Sequence, residues 1–218
     1  MEVQILSNLN TVLNRFIAEL RDVRVQGDRM RFRRNLERCG EVTAYEISKR
    51  LIYSLQTVET PLGEATTQLS DDQIVIATIL RAGIPYHQGF LNYFDGASNA
   101  FVSAFRKYSK DGTFKVKVEY VSCGSLEGKT LILVDPMLAT GTSTVLTYQA
   151  LLEKGGVPRH THIASIVASE EGVAYVREHL PDRETTIWCG AVDEELTVKS
   201  YIIPGLGDAG DLAYGDKL

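Results

Sequence analysis

The sequence predicts an α/β protein with a mainly parallel sheet flanked by helices. Short apolar runs rich in β-branched residues, such as Ile74–Leu80, are typical of strands buried on both faces. Helix-like stretches separate several of these runs, and strands that alternate with helices favour parallel pairing. No repeat, low-complexity tract or Pro/Ser-rich linker interrupts the 218 residues, so we expect one domain spanning residues 1–218.

The first part of the chain, about residues 1–53, is predicted to be helical. One face of an N-terminal amphipathic helix is marked by Ile5, Leu6, Leu9, Leu13, Phe16, Ile17 and Leu20. Residues 28–53 are interpreted as one or two further helices. Asp28 can cap the first of them, and Gly40 is expected to separate them.

The remaining elements alternate, with one exception. Strands are predicted at 74–80, 100–105, 131–134 and 162–168, with weaker ones around Trp188 and at 201–203. Helices are predicted at 86–94, 143–153 and 171–179. The exception is the stretch of about 106–129, where a turn signal at 110–113 precedes alternating apolar residues. That pattern predicts an exposed hairpin or flap.

Composition and charge exclude several classes of protein. The net charge of −5 gives no basic field for nucleic acid or for an anionic membrane. The cysteines at 39, 123 and 189 are odd in number and widely spaced, which favours reduced thiols over disulfides or a zinc site. No signal peptide is recognisable, and no apolar run approaches the ~20 residues of a membrane span. We therefore expect a cytoplasmic protein.

The loop after the 131–134 strand has the composition of an anion site. In a parallel sheet, ligands collect outside the carboxyl ends of the strands. Here Gly141 lets the backbone approach a phosphate, Thr140, Thr142 and Ser143 carry hydroxyl donors, and a helix N-terminus follows. Asp135 could accept hydrogen bonds from a ribose diol. The alternative is that Thr142 or Ser143 only caps the helix while Asp135 faces solvent.

The turn after Ile74–Leu80 is a second candidate. Gly83 permits a sharp turn, and Pro85 suits a first helical turn. Arg81 could bind a second phosphate group in a bidentate manner, or it could be an ordinary exposed arginine. Arg106 and Lys107 follow a third strand and could add positive charge, although a solvated basic turn is the simpler interpretation.

The C-terminal segment, about residues 200–218, contains a formal GxGxxG at 205–210. Only eight residues follow Gly210, which leaves no room for the helix and strand that a dinucleotide fingerprint requires. A glycine-rich loop with one carboxylate, Asp208, remains, and its backbone groups could bind a small planar ligand. The alternative is a flexible glycine-rich tail.

Together, three segments of the chain resemble the uracil phosphoribosyltransferase family. They are ILRAG at 79–83, VDPMLATGTS at 134–143 and YIIPGLGDAGD at 201–211. Weaker matches are RFR at 31–33 with Tyr45 and Glu46, and the strand that ends at Arg106. The resemblance runs from about residue 31 to 211, and it is specific because the second and third segments occur together.

The resemblance implies a type I phosphoribosyltransferase fold with a flap over the site and a small hood. It implies transfer of the phosphoribosyl group of phosphoribosyl pyrophosphate (PRPP) to uracil, with Arg81 and Asp208 as catalytic residues. The residues it implies for PRPP binding are Arg81, Arg106, Asp135, Pro136, Met137, Leu138, Ala139, Thr140, Gly141, Thr142, Ser143 and Asp208.

For uracil, the resemblance implies Ile202, Gly207, Asp208 and Ala209. Backbone N–H and carbonyl groups would complement O2, N3–H and O4 of the base. Mg²⁺ is the implied cofactor, bound mainly through PRPP, with no protein ligand directly assigned and Asp208 the candidate to face it. A homodimer or larger assembly is implied, and GTP is a candidate effector.

Two alternatives stay open at this point. A regulatory protein of the same fold could sense UMP or PRPP and control RNA or transcription, although the acidic balance argues against RNA contact. An enzyme of the same class could instead use a purine or orotate. Base competition in one assay separates this last alternative from uracil transfer.

Overall fold

The computed structural model of the chain describes residues 1–108 and 114–216, with side chains described outside residues 105–116. Its strands are β1 (Glu2–Ile5), β2 (Tyr53–Thr60), β3 (Gly63–Ser70), β4 (Ile74–Leu80), β5 (Ser98–Tyr108), β6 (Phe114–Ser122), β7 (Thr130–Val134), β8 (Met137–Leu138), β9 (His160–Ser169), β10 (Thr185–Asp193), β11 (Glu195–Leu196) and β12 (Ile202–Ile203). Its helices are α1 (Val12–Arg21), α2 (Arg29–Ser48), α3 (Gly83–Leu91), α4 (Thr142–Gly155), α5 (Glu170–His179) and α6 (Ala209–Tyr214), with a 3-10 helix at Leu6–Leu9.

The main sheet has the order β1-β10-β9-β7-β4-β5-β6, and β8 pairs with β9 off this path. Neighbours are parallel except for β5 and β6, which are antiparallel. The helices after β4, β8 and β9 return the chain so that the next strand can pair in parallel. The predicted mainly parallel α/β fold flanked by helices is confirmed.

The sheet separates two apolar layers. On one face Ile76 and Ile132 pack in a cluster with residues of α1, α2, α3 and α6. On the other face Val75, Ala77 and Leu131 pack in a cluster with residues of α4 and α5. Because consecutive residues of a strand point to opposite faces, a strand between two helical layers must be apolar throughout. This explains the continuous apolar runs in the sequence.

The N-terminus differs from the prediction. One helix was expected to begin near Ile5, but residues 2–5 form β1 and pair in parallel with β10 before the 3-10 helix begins. Thr11 caps α1, and Leu13 and Leu20 are buried as expected. The seven apolar residues are divided among β1, the 3-10 helix and α1, and Leu9 is 57% exposed, so their assignment to one face of a single helix is wrong.

Residues 29–48 form one helix, so the expected break at Gly40 is wrong. Asp28 caps this helix as predicted, accepting two backbone N–H groups. Gly40 marks the crossing of α2 with α3: an added Cβ would lie 2.3 Å from Tyr86 O. On the facing helix, a Cβ at Gly89 would lie 2.0 Å from Glu37 O. The two glycines therefore permit close helix packing.

Two hairpins extend from this framework. β5 and β6 form the antiparallel hairpin predicted for the flap, while its turn at 109–113 lies outside the described residues. The β2–β3 hairpin was not predicted, because few apolar residues alternate there. Every residue of β3 is exposed, and so are most of β2. Among the described residues, no helix combines the length and hydropathy that crossing a bilayer would require.

Candidate active site

Asp135 begins the candidate phosphate loop at the carboxyl end of β7. Its N–H donates to Ala164 O at 3.0 Å, and its Oδ1 accepts from Met137 N at 3.2 Å. The next residue, Pro136, is buried, and its carbonyl accepts from two backbone N–H groups of β9. These bonds fix the backbone on both sides of Asp135 while the residue stays partly exposed at the sheet edge.

The loop ends at the N-terminus of α4. Gly141 occupies the cap position with φ +77°, and its carbonyl accepts from Val145 N at 3.0 Å. Thr140 Oγ1 accepts from Thr142 N at 3.4 Å, and no cap hydrogen bond from Thr142 or Ser143 is found at this end of α4, so these two residues do not have the capping role considered as the alternative. Thr140 Oγ1 lies 3.2 Å from Thr142 Oγ1, and all three hydroxyl residues are partly exposed. The helix N-terminus thus presents hydroxyl and N–H donors, as an anion site requires.

The start of α5 supports this loop from behind. Ser169 Oγ donates to Ala139 O at 2.5 Å and accepts from Gly172 N at 2.9 Å. A Cβ at Gly172 would lie 2.3 Å from Ala139 O and 2.7 Å from Leu138 O. Sequence reasoning did not identify Ser169 or Gly172, since their role appears only when α5 is packed against the loop.

Arg81 links the end of β4 to the C-terminal helix. Its Nη2 donates to Asp211 Oδ1 at 3.1 Å and to Gly215 O at 3.2 Å. Its Nε is buried and has no hydrogen-bond partner among the described residues. Gly83 begins α3 immediately after this turn, as the sequence predicted for a sharp turn. Arg81 is therefore placed between the sheet edge and the C-terminal segment.

The predicted base-binding residues surround the start of α6. Asp208 is its N-cap, and Asp208 Oδ1 accepts from Asp211 N at 3.0 Å. Gly207 is exposed with φ +94°, a conformation that favours glycine, while Ala209 is buried. Ile202 lies in β12, which pairs with β11. The segment is thus an ordered loop and helix, and the alternative of a flexible tail is wrong for residues 202–216.

The topology brings the two loops to one edge. Arg81 attaches the C-terminal segment to the end of β4, and Asp193 at the end of β10 accepts from Gly205 N at 2.9 Å. β7 and β9 lie between β4 and β10 in the sheet, and the 135–143 loop follows β7. The predicted residues of both loops therefore lie at the same, carboxyl-terminal edge of the sheet. Arg106 lies outside the side chains that the structure describes.

Other reactive residues lie away from this edge or are buried. Burial raises the pKa of the Cys189 thiol to about 12 and also raises the pKa of Cys39. His160 and His162 line a cleft of about 370 Å³ at the opposite, amino-terminal edge of the sheet. Burial lowers the pKa of His162 to about 3. Within residues 1–108 and 114–216, no group of three or more histidine, cysteine or acidic side chains could hold a metal ion.

Comparison with known proteins gives a consistent result. The family model described as uracil phosphoribosyltransferase matches residues 9–216. A uracil phosphoribosyltransferase from Porphyromonas gingivalis is 57% identical over 218 residues, covering 100% of both chains. One from Pyrococcus furiosus is 37% identical over 205 residues, covering 93% of this chain and 85% of that one.

Among solved structures, the AQ2163 protein from Aquifex aeolicus superposes with a TM-score of 0.85 at 29% identity, with 98% of each chain covered. The residues that the family model matches include every strand of the main sheet except β1, the 135–143 loop and the C-terminal segment up to residue 216. The chain belongs to the uracil phosphoribosyltransferase family.

Proposed function

We propose that this protein transfers the phosphoribosyl group of PRPP to uracil, giving UMP and pyrophosphate. One observation carries the proposal: a hydroxyl-rich helix N-terminus and a glycine-rich loop lie at the same sheet edge, with Arg81 connecting that edge to the C-terminal helix. The first element suits a sugar phosphate and the second a planar base. Transfer of a phosphoribosyl group to a base needs both binding sites side by side. Family membership supports the same activity.

The loop from Asp135 to Ser143 would hold the ribose 5-phosphate end of PRPP. The N–H groups at the start of α4 and the hydroxyls of Thr140, Thr142 and Ser143 are donors for the phosphate. Asp135, fixed through its backbone at the strand end, would accept hydrogen bonds from the ribose hydroxyls. Pro136, Met137, Leu138 and Ala139 complete the predicted loop.

The pyrophosphate of PRPP would lie near Arg81 and, as the resemblance implies, Arg106. The Arg81 Nε is a buried donor with no partner among the described residues, and leaving such a donor unpaired is unfavourable. A phosphate oxygen would be a suitable acceptor for it. Arg81 is thus proposed both to bind PRPP and to stabilise the departing pyrophosphate.

Uracil would be bound by the backbone around Ile202, Gly207, Asp208 and Ala209. Two N–H groups and one carbonyl match the acceptor–donor–acceptor edge of uracil, whereas cytosine would leave a polar group mismatched. Displacement at C1 of the ribose needs N1 of the base held close and in line, so positioning contributes most of the rate. Asp208 is the proposed acid/base residue.

Mg²⁺ is the proposed cofactor. Asp208 offers hard carboxylate oxygens at the sheet edge, which is the ligand type that Mg²⁺ prefers. Since the described residues provide no larger cluster of ligands, most of its coordination would come from PRPP oxygens and water. Bound in this way, the ion would neutralise charge on the leaving pyrophosphate.

The proposal extends to assembly and location. A homodimer or larger assembly is supported by the β2–β3 hairpin, where Leu55 is 67% and Leu62 100% exposed. An isolated two-stranded hairpin is only marginally stable in water, and a second copy would cover it. Three free cysteines support a reducing compartment, in keeping with the cytoplasm. GTP as an effector is supported by the family resemblance.

One competition assay tests the proposed function. The protein would be incubated with Mg²⁺ and PRPP in the presence of equimolar uracil, cytosine, orotate and hypoxanthine, and the nucleotides separated by chromatography. We expect UMP as the dominant product, loss of product with EDTA, and recovery when Mg²⁺ is returned. A dominant product from another base would refute uracil specificity, and RNA binding without any nucleotide formed would favour the regulatory alternative. Parallel reactions with GTP test activation.

A further inference from the structure

An ion pair of α1 and β10 lies behind the glycine-rich loop. Arg21 Nη1 donates to Asp193 Oδ2 at 2.7 Å, and Arg21 Nη2 donates to Asp193 Oδ1 at 2.9 Å. The Asp193 side chain is 9% exposed and that of Arg21 is 22% exposed. The pair is therefore bidentate and largely shielded from water, which fixes the relative orientation of the two side chains.

The same pair binds both backbone polar groups of Gly205. Asp193 Oδ2 accepts from Gly205 N at 2.9 Å, and Arg21 Nη1 donates to Gly205 O at 3.1 Å. Gly205 has φ +53°, and an added Cβ would lie 2.1 Å from Ile202 O. The peptide groups on either side of Gly205 thus have one orientation, set by Arg21 and Asp193.

A second side chain extends this support along the loop. Gln26, in the segment between α1 and α2, donates through Nε2 to Leu206 O at 3.2 Å and to Leu20 O at 2.8 Å. Two consecutive carbonyls of the loop, those of Gly205 and Leu206, therefore accept from the N-terminal part of the chain. The proposed uracil-binding residues lie on both sides of these two positions, with Ile202 before them and Gly207 directly after.

A buried ion pair is weak evidence for a purely stabilising role, because apolar residues of similar volume often stabilise a fold equally well. This pair also forms hydrogen bonds with the backbone of the loop. It therefore sets the direction of backbone N–H and carbonyl groups, which an apolar pair cannot do. Recognition of a base edge by backbone groups depends on that direction, and small misplacements are costly.

We propose that Arg21 and Asp193 are positioning residues of the base subsite, and that they set the affinity and selectivity for uracil through the backbone of Gly205. This inference rests on the proposed function and deepens it. Neither side chain needs to touch uracil, and neither is expected to act on PRPP.

The test is the steady-state kinetics of Asp193→Asn and Arg21→Lys at 25 °C, with thermal unfolding to show that each variant is folded. Asn keeps the shape of the side chain but weakens its charge-assisted hydrogen bonds, and Lys keeps the charge but loses the bidentate geometry. For both we expect the KM for uracil to rise by roughly tenfold or more, since hydrogen bonds to charged groups are strong. The KM for PRPP should stay within about twofold, and the preference for uracil over cytosine should fall.

Glu19→Gln is the matched control. Glu19 also forms an ion pair of α1, with Arg31, and is largely buried, but none of its hydrogen bonds reaches the glycine-rich loop. We expect this control to lower the melting temperature without raising the KM for uracil. A similar rise of the uracil KM in the control would mean general loosening of the fold and would overturn the inference.

The remaining outcomes are separable. If the wild type forms UMP and both variants keep the uracil KM and base preference of the wild type, the inference is wrong and the proposed function stands. If the KM for PRPP rises as much as that for uracil, the pair is not specific to the base subsite, and the inference is again wrong. If the wild type forms no UMP, the proposed function fails and this inference fails with it.

Discussion

Gly172→Ala tests how the phosphate loop is held. Gly172 lies in the first turn of α5, where Ser169 Oγ accepts from its N–H and donates to Ala139 O in the loop. Helix propensity alone predicts that alanine would stabilise α5 by up to about 1 kcal/mol. Packing predicts that the added methyl group would instead destabilise the protein. The measured change in stability therefore decides which effect is larger.

The structure gives the magnitude of the packing effect. The new Cβ would lie 2.3 Å from Ala139 O and 2.7 Å from Leu138 O, and both atoms belong to backbone that cannot rotate away. The loop must withdraw by about 1 Å to reach ordinary van der Waals contact. Overpacking of this kind typically costs about 1–3 kcal/mol, and the Ser169–Ala139 bond would weaken as well. We expect a net loss of about 1–2 kcal/mol, or roughly 2–8 °C in melting temperature.

Thermal unfolding and PRPP kinetics measure the two consequences. The variant should melt lower than the wild type, and its kcat/KM for PRPP should fall by roughly 100-fold, because Leu138 and Ala139 lead into the residues that would bind the phosphate. Gly96→Ala is the control, since a Cβ there meets no described atom within 4 Å. A Gly172→Ala variant as stable and active as the wild type would refute the packing argument.

Three further predictions concern single residues. Arg81→Ala should raise the KM for PRPP by roughly tenfold or more by removing a charged phosphate donor; unchanged PRPP kinetics would contradict its role. Asp208→Asn should lower kcat strongly while the melting temperature changes little, because asparagine also caps helices well; normal turnover would remove Asp208 from catalysis. Hydrogen bonds from Arg31 and Asn35 lower the pKa of Glu19 from 4.5 to about 2. The contribution of the Glu19 carboxylate to the stability of the fold should be complete above pH 4.5 and disappear as the pH falls toward 2. The difference in melting temperature between the wild type and Glu19→Gln should therefore shrink over that range, and a constant difference would refute this.

The sheet was predictable because its strands are buried on both faces. A strand such as β4 must be apolar at every position when helices cover both sides, and the sequence shows this without any other information. The loop after β7 was predictable for a related reason, since ligands of parallel sheets bind at carboxyl ends. Local composition and topology point to the same residues there.

Other features depended on contacts that no local pattern reveals. Gly40 has the pattern of a helix end, yet it permits the close crossing of α2 and α3. Arg21 and Asp193 are 172 positions apart, so nothing near either residue indicates the pair. Gly172 is likewise significant only because Ala139 packs against it. The β2–β3 hairpin was missed because strands exposed on both faces lack the apolar alternation that identifies a strand.

The ion pair between Arg21 and Asp193 also has a consequence for synthesis of the chain on the ribosome. Arg21, which holds Gly205, is synthesised long before Asp193 and Gly205, and the glycine-rich loop follows all strands of the main sheet. The central strands can pair while the nascent chain is still being extended, but the base-binding half of the site cannot assemble until residues 202–216 have emerged from the exit tunnel. Catalytic competence should therefore be acquired only after these residues have emerged, when the strands that precede them in the chain are already available to pair.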